Sequence, residues 1–356
     1  MPLQSIYLEN FRLFKENKYS LSEGINIFIG KNGAGKTSVL ESLDILFTGT
    51  SFRSKNSLEC INHNTKYFKI AGIGSFEDKE LRIEISKSIE GRGTSVRKLL
   101  GKRVKSSDMP FLQLVLAKQL RMIEGEPELR RDFLNRLMFH VKPDLLTLSN
   151  EYTKALKQRN RALKRGLPQS ELTLWTEKVV ELGLALSKEQ YSFFTEAKEI
   201  ILSHILIAAN RNKLAYLGGL GIKFLTGWDG NKSLSSVMRD NLEKDKALGF
   251  TSAGPHKQDF VATVEGKKAA EVLSRGQVKI LILLIFLSTS KILKSYAIQG
   301  SLLVIDDVGS ELDDKNLEIL MQELFNSTEQ VFITAIEAST WPNVSKYLRE
   351  FNKINL

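Results

Sequence analysis

Cysteine, long apolar runs and repetitive sequence are all scarce in this chain, and each absence narrows what it can be. Among 356 residues there is one cysteine, Cys60. A single thiol closes no intramolecular disulfide and builds no cysteine-rich metal cluster, so a reducing, intracellular setting is expected. The longest apolar run, Ile280 to Leu287, has eight residues. A membrane-crossing helix needs roughly 20, so this run reads as core and no membrane partner is expected. The N-terminus shows no basic segment followed by an apolar stretch and a cleavage site, and no secretion signal is expected there. Low-complexity segments and internal repeats are not evident.

What remains is an ordinary globular composition, long enough for one composite core or two to three packed domains. Lys and Arg number 51 against 41 Asp and Glu, a formal net charge of +10. An excess of this sign concentrates polyanions at a surface but says nothing about fold, and many unrelated proteins share it.

The texture changes along the chain. Residues 1–110 read as mostly strand with one early helix: Gln4 to Leu8 and Gly24 to Ile29 as strands, Thr37 to Leu46 as helix, Tyr67 to Phe76 and Glu80 to Ser88 as a hairpin. Gly91, Gly93 and the basic stretch from Lys98 to Lys105 read as exposed turns. Residues 111–215 are long helical segments with few glycines. On a helix over Asn150 to Arg165, Lys154, Lys157, Arg161, Lys164 and Arg165 share an arc of about 100° opposite Tyr152, Leu156 and Leu163. One face packs and the other is basic, a candidate for phosphate contact or simply a solvated face. Gly166 and Pro168 interrupt the pattern before a second helix near Ser170. Residues 216–356 return to strands alternating with helices, including a helix over Gln277 to Lys291 and strands at Leu302 to Ile305 and Gln330 to Thr334. The fold expected is α/β, a parallel sheet with an inserted helical arm.

The strongest local signal is Gly30-Lys31-Asn32-Gly33-Ala34-Gly35-Lys36-Thr37, between a predicted strand and a predicted helix. This is the phosphate-binding loop pattern in its required context. Its glycines let backbone N–H groups turn toward phosphate oxygens at a helix N-terminus. Lys36 places a cation at the β- and γ-phosphates, and Thr37 offers an oxygen to Mg²⁺, so ATP and Mg²⁺ are the expected cofactors. Far along the chain, Leu302-Leu303-Val304-Ile305 ends in Asp306-Asp307. Acidic residues at the C-terminal end of a buried strand sit where an open α/β sheet places its ligand. Asp306 is a candidate for Mg²⁺ and Asp307 for orienting the attacking water. Asp307 is one methylene shorter than glutamate, which predicts slow hydrolysis. Taken alone, the two aspartates could also form a solvent-exposed turn.

Leu273-Ser274-Arg275-Gly276-Gln277 heads the apolar helix before the second motif, and this order resembles the ABC-type ATPases. That resemblance implies that Ser274, Gly276 and Gln277 form a second phosphate-binding surface facing the loop of another copy. With one loop and one signature per chain, it implies a head-to-tail, ATP-dependent homodimer in which Ser274 acts in trans. Ser310-Glu311-Leu312-Asp313 matches the inter-subunit loop of the same class, and Asp313 could equally cap the next helix. Thr334 takes the place where many such ATPases carry a histidine near the γ-phosphate.

The chain as a whole resembles the RecF family of bacterial ATPases. The residues that carry this are LENFRLF at 8–14, SFRS at 51–54, GEPELRRDFLNR at 125–136, ALKQRNRALK at 155–164, GPHKQDF at 254–260, LSRGQ at 273–277 and LLVIDDVGSELD at 302–313. The resemblance implies an ABC-type ATPase head with a helical arm, acting in DNA repair and replication as a cytoplasmic, nucleoid-associated protein. Its partners would be double-stranded DNA, junctions of single and double strands, and recombination mediator proteins, with Lys36, Asp306, Asp307 and Ser274 catalytic. Arg53, Arg97, Lys98, Lys102, Arg103 and Lys105 are further DNA candidates, and His256 is either a neighbour of the nucleotide or the stabiliser of a turn. A transporter ATPase subunit and a non-hydrolysing ATP-dependent scaffold are the competing readings.

Overall fold

A computed structural model of the chain describes residues 3–76, 79–99, 102–103, 109–298, 300–307, 309, 312–336 and 351–356. Internal packing divides it into two units, Met1–Arg121 with Ser274–Leu356, and Met122–Leu273.

The first unit begins with strands β1 (Leu3–Phe11), β2 (Phe14–Ser20) and β3 (Ile25–Ile29) and helix α1 (Lys36–Thr48). Strands β4 (Tyr67–Phe76), β5 (Lys79–Ser88), β6 (Gly91–Leu99), β7 (Lys102–Arg103) and β8 (Phe111–Val115) follow. Six of them form an antiparallel sheet in the order β2-β1-β4-β5-β6-β7. The expectation of exposed turns from Gly91 onward is corrected by this sheet. Gly91–Leu99 pairs antiparallel with β5, and Lys102–Arg103 fold back on its end.

The second unit carries α2 (Pro127–Val141), α3 (Leu145–Arg165) and α4 (Gln169–Asn212). It also holds β9 (Leu220–Leu225), α5 (Leu234–Asp240), α6 (Leu242–Leu248), β10 (Asp259–Val264), β11 (Lys267–Lys268) and α7 (Ala269–Val272). Gly166, in the left-handed region with φ 60°, closes α3 by donating its N–H to the Ala162 and Leu163 carbonyls. Pro168 precedes α4, whose 44 residues span about 66 Å at 1.5 Å per residue. The helices share a core of Tyr152, Ala155, Val179, Leu182, Leu186, Leu234 and Met238. Phe194 of α4 packs on Phe224 and Phe260, seating the small antiparallel sheet β11-β10-β9 on the helix. The sequence-based limits 111 and 215 therefore both shift. Phe111–Val115 is a strand of the first unit, and the small sheet of β9, β10 and β11 that follows 215 packs with the long helix.

Returning to the first unit, the chain adds α8 (Arg275–Ser295), β12 (Ser301–Ile305), α9 (Asp314–Phe325), β13 (Gln330–Ala335) and β14 (Asn352–Asn355). A five-stranded sheet, parallel throughout, runs β14-β3-β13-β12-β8. Its central strands are buried along their whole length, as parallel strands covered on both faces require. Residues Ser38 to Phe47 of α1 are all buried, because the helix packs on the parallel sheet through β13 and β8 and on the antiparallel sheet through β4 and β5. Among the described residues, α8 alone has the length and apolarity of a membrane span, yet Ile280 to Thr289 are all buried inside the protein, as in a core helix.

Candidate functional site at the edge of the parallel sheet

Strands β3, β13 and β12 lie side by side, so their C-terminal ends deliver the loop after Ile29, Thr334 and the pair Asp306-Asp307 to one edge. A cavity of about 340 Å³ opens there, lined by Leu13, Asn32, Gly33, Gly35, Lys36, Thr37, Ser38, Arg53, Asp306 and Asp307. That volume is at the small end of the range for ligand sites.

The loop is held by steric demands that only glycine meets. Gly33 and Gly35 have φ of 86° and 97°, in the left-handed region. A Cβ on Gly35 would come within 2.7 Å of the Phe14 ring and 2.9 Å of Leu13. Lys36 Nζ donates to the Gly30 and Lys31 carbonyls at 2.6 and 3.1 Å, which keeps its charge inside the loop. Thr37 Oγ1 donates to Asp306 Oδ1 at 3.3 Å, bringing together two residues far apart in sequence. A hydroxyl and a carboxylate are hard oxygen donors of the kind Mg²⁺ takes alongside phosphates and water, so this pair suits that ion.

Asp307 has φ 51°, a conformation that costs a non-glycine residue about 1–2 kcal/mol. Its N–H donates to Thr334 Oγ1 at 2.7 Å, and that hydroxyl in turn donates to Asp306 Oδ1 at 2.7 Å. Thr334 itself is fully buried.

Behind the loop helix lies a second charged cluster. Glu41 of α1 is buried and receives Arg12 through Nε and Nη2 at 2.9 and 2.6 Å, and Ser51 Oγ at 2.5 Å. Burial pushes the Glu41 carboxyl up, but the bonds from Arg12 and Ser51 outweigh it and hold the carboxyl below its ordinary range. The Cys60 thiol, beside the same carboxylate, is pushed up to about 12 by burial and by the Glu41 charge. Arg53 joins the cluster from the cavity side, with Nη1 3.5 Å from Glu41 Oε2 and 3.4 Å from Ser38 Oγ. Arg53, one of the further DNA candidates, lines the cavity as well. The sequence reading also missed Leu13 and Ser38; the only signal for Arg53 and Leu13 was their place in the SFRS and LENFRLF segments.

Ser274, Gly276 and Gln277 do not line this cavity in the same chain. They start α8 with a capping box: Ser274 accepts from the Gln277 N–H, and Gln277 Oε1 accepts from the Ser274 N–H. Gly276 leaves room for Asn316, whose amide nitrogen lies 2.7 Å from where a Cβ would stand. Asp313 caps α9, accepting from the Asn316 N–H at 2.8 Å. Ser310, Glu311 and Lys105 lie outside the described residues.

In the second unit Lys154, Lys157, Arg161, Lys164 and Arg165 are all exposed on α3, with Tyr152 and Leu163 buried on the other side and Leu156 half-buried. Lys98, Lys102 and Arg103, on β6 and β7 of the first unit, are exposed as well. His256 serves a turn: its Nδ1 meets the Tyr152 hydroxyl at 2.7 Å and its Nε2 the Thr251 carbonyl at 3.1 Å. A carbonyl only accepts, so Nε2 carries the proton and Nδ1 accepts from Tyr152. Burial lowers the imidazole to about 4 and keeps it neutral.

A parallel sheet with a phosphate-loop pattern after β3, acids after β12, a capped signature helix and a helical insertion define the class: an α/β ATPase head of the ABC and SMC type. The family model described as the RecF/RecN/SMC N terminal domain matches residues 2–354. The chain is 30% identical over 356 residues to the DNA replication and repair protein RecF of Pseudoalteromonas atlantica, covering 98% of this chain and 95% of that one. With the protein of the same name from Pseudoalteromonas translucida it shares 32% over 343 residues, covering 94% and 92%. The chain belongs to the RecF family.

Among solved structures, the recombination mediator protein RecF-ATPrS of the RecFOR pathway superposes with a TM-score of 0.80 at 26% identity, covering 95% of this chain and 93% of that one. An Smc head bound to the C-winged helix domain of ScpA, at 15% identity and TM-score 0.53, shares the fold.

Proposed function

We propose that two copies of this chain close head to tail around ATP and Mg²⁺, clamp duplex DNA near single-strand gaps or junctions, and help mediator proteins load recombinase during repair and replication restart. The observation that carries the reading is the convergence of Lys36, Thr37, Asp306 and Asp307 on one cavity while Ser274 and Gly276 lie outside it in the same chain. Family membership supports the DNA role, and a cytoplasmic, nucleoid-associated location goes with it.

In this reading the loop Gly30, Lys31, Asn32, Gly33, Ala34, Gly35, Lys36 and Thr37 binds the phosphates, and Thr37 and Asp306 hold Mg²⁺. The ion supplies charge neutralisation at the phosphates. Lys36 leaves its loop carbonyls for phosphate oxygens, Asp307 orients the attacking water, and Ser274, Gly276 and Gln277 of the partner complete the site. Gln277 contributes by fixing the start of α8, since its side chain is already engaged there. The exposed basic face of α3 meets DNA phosphates. Hydrolysis is slow because a short aspartate orients the water, and it resets the clamp.

The experiment is a complementation of two inactive chains. Lys36→Met and Ser274→Arg should each abolish ATP turnover alone. Mixed in equal amounts, only a mixed pair has an intact site, one of its two, so turnover should recover in part, to at most about half of the wild-type rate. No recovery on mixing would remove the shared site. Wild-type protein that binds ATP and dimerises but releases no phosphate, with or without DNA, would leave the non-hydrolysing scaffold as the correct reading.

A further inference from the structure

We infer that Thr334 is a positioning residue for the hydrolytic site: its single hydroxyl fixes the carboxylate of Asp306 and the backbone of Asp307 relative to each other. The inference rests on the nucleotide reading given above.

Thr334 is fully buried on the β13 strand, between the strand that leads into the phosphate loop and the strand that ends in the two aspartates. Its Oγ1 is used in both directions. It accepts the Asp307 N–H at 2.7 Å and donates to Asp306 Oδ1 at 2.7 Å. Asp306 in its ionised form can only accept, which sets the direction of the hydroxyl proton and leaves an oxygen lone pair for the amide. The same Oδ1 receives the hydroxyl of Thr37 at 3.3 Å. One oxygen of Asp306 is thus held from two sides, by the loop helix and by β13, and the carboxylate cannot rotate without breaking one of these bonds.

The second bond acts on geometry. Asp307 is the only one of the two aspartates in the left-handed region. That turn sets the direction in which its side chain leaves the strand end, and the bond to Thr334 anchors the turn's N–H. A threonine here couples the ion-side acid to the water-side acid through one atom. Valine has the same shape and can make neither bond; serine can make both.

The test compares wild type, Thr334→Val and Thr334→Ser. Amide hydrogen exchange of the nucleotide-free chain reads the anchor directly. The Asp307 N–H should exchange roughly tenfold or more faster in the valine variant and near the wild-type rate in the serine variant, while Val304 and Phe332 stay protected. Steady-state turnover should show kcat lowered roughly tenfold or more with KM for ATP within about threefold in the valine variant, and kcat recovering in the serine variant. A magnesium titration of ATP binding should shift to higher Mg²⁺ in the valine variant only. Should the valine variant not fold, Thr334→Ala removes the same hydroxyl and takes its place. Valine with wild-type exchange, kcat and Mg²⁺ dependence would overturn the inference, as would serine behaving like valine. A wild-type chain that binds ATP without hydrolysing it would sink the ATPase reading, and exchange and the Mg²⁺ titration would still decide the role of Thr334.

Discussion

Glu41 and Arg12 show how this fold sets a charge inside a core. Glu41 is fully buried on the loop helix, and its charge is tolerated because Arg12 meets it with two bonds and Ser51 with a third. Removing one partner of a buried pair typically costs about 3–5 kcal/mol, because the other charge is left without compensation. Arg12→Ala is expected to lower stability by that order in chemical denaturation; a loss under about 1 kcal/mol would show that the pair is solvated in practice. Glu329 is the opposite case. Burial raises its carboxyl to about 7, against smaller lowering effects from Ser301, Lys294 and Gln113. Its folded value lies above the ordinary one, so the folded state holds an extra proton between about pH 4.5 and 7, and the stability tied to it is lost as pH rises through that window. Gln113 Nε2 and Ser301 Oγ both donate to Glu329 Oε1, while Glu329 Oε2 and Gln113 Oε1 are buried without a hydrogen-bond partner. A proton on Oε2 suits such a setting. Glu329→Gln should therefore raise the melting temperature at pH 8 and change it little at pH 5. An equal shift at both pH values would refute the buried acid.

At the scale of elements, the basic face of α3 is the part of the DNA reading most open to test. Reversing charge at Lys157, Arg161 and Lys164 should weaken duplex binding and flatten its salt dependence, by up to about one unit of slope for each phosphate no longer neutralised. Unchanged affinity would take the helix out of the interface. The same helix shows what sequence pattern can and cannot deliver. Its amphipathic face, the hairpin of β4 and β5, and the strand–loop–helix of β3 and α1 were legible because each is a local pattern. The phosphate loop and the two aspartates were legible for the same reason, each being a short motif at a strand end. Strand β6 was not, because its two glycines and three basic residues read as an exposed turn and its place is fixed by pairing with β5. Nor was β14, four residues that matter only because β3 offers a free edge. The cavity positions of Arg53 and Leu13, and the two bonds of Thr334, escaped for a related reason. They come from long-range packing of α1, the antiparallel sheet and β13, which no spacing along the chain encodes.

At the scale of the whole molecule, one chain supplies the phosphate loop, the two acids and a signature helix whose first turn lies outside its own cavity. A second copy would complete the site, with ATP as the shared ligand, and ligand bound only by the closed form stabilises that form by mass action. ATP binding, dimerisation and DNA binding should therefore be linked. Sedimentation of the protein with and without ATP, in the presence and absence of a gapped duplex, measures all three together. The protein should be a monomer without nucleotide and a dimer with ATP and Mg²⁺, the dimer should hold DNA more tightly, and Lys36→Met should lose both changes. A mass and a DNA affinity that are the same with and without ATP would contradict this linkage.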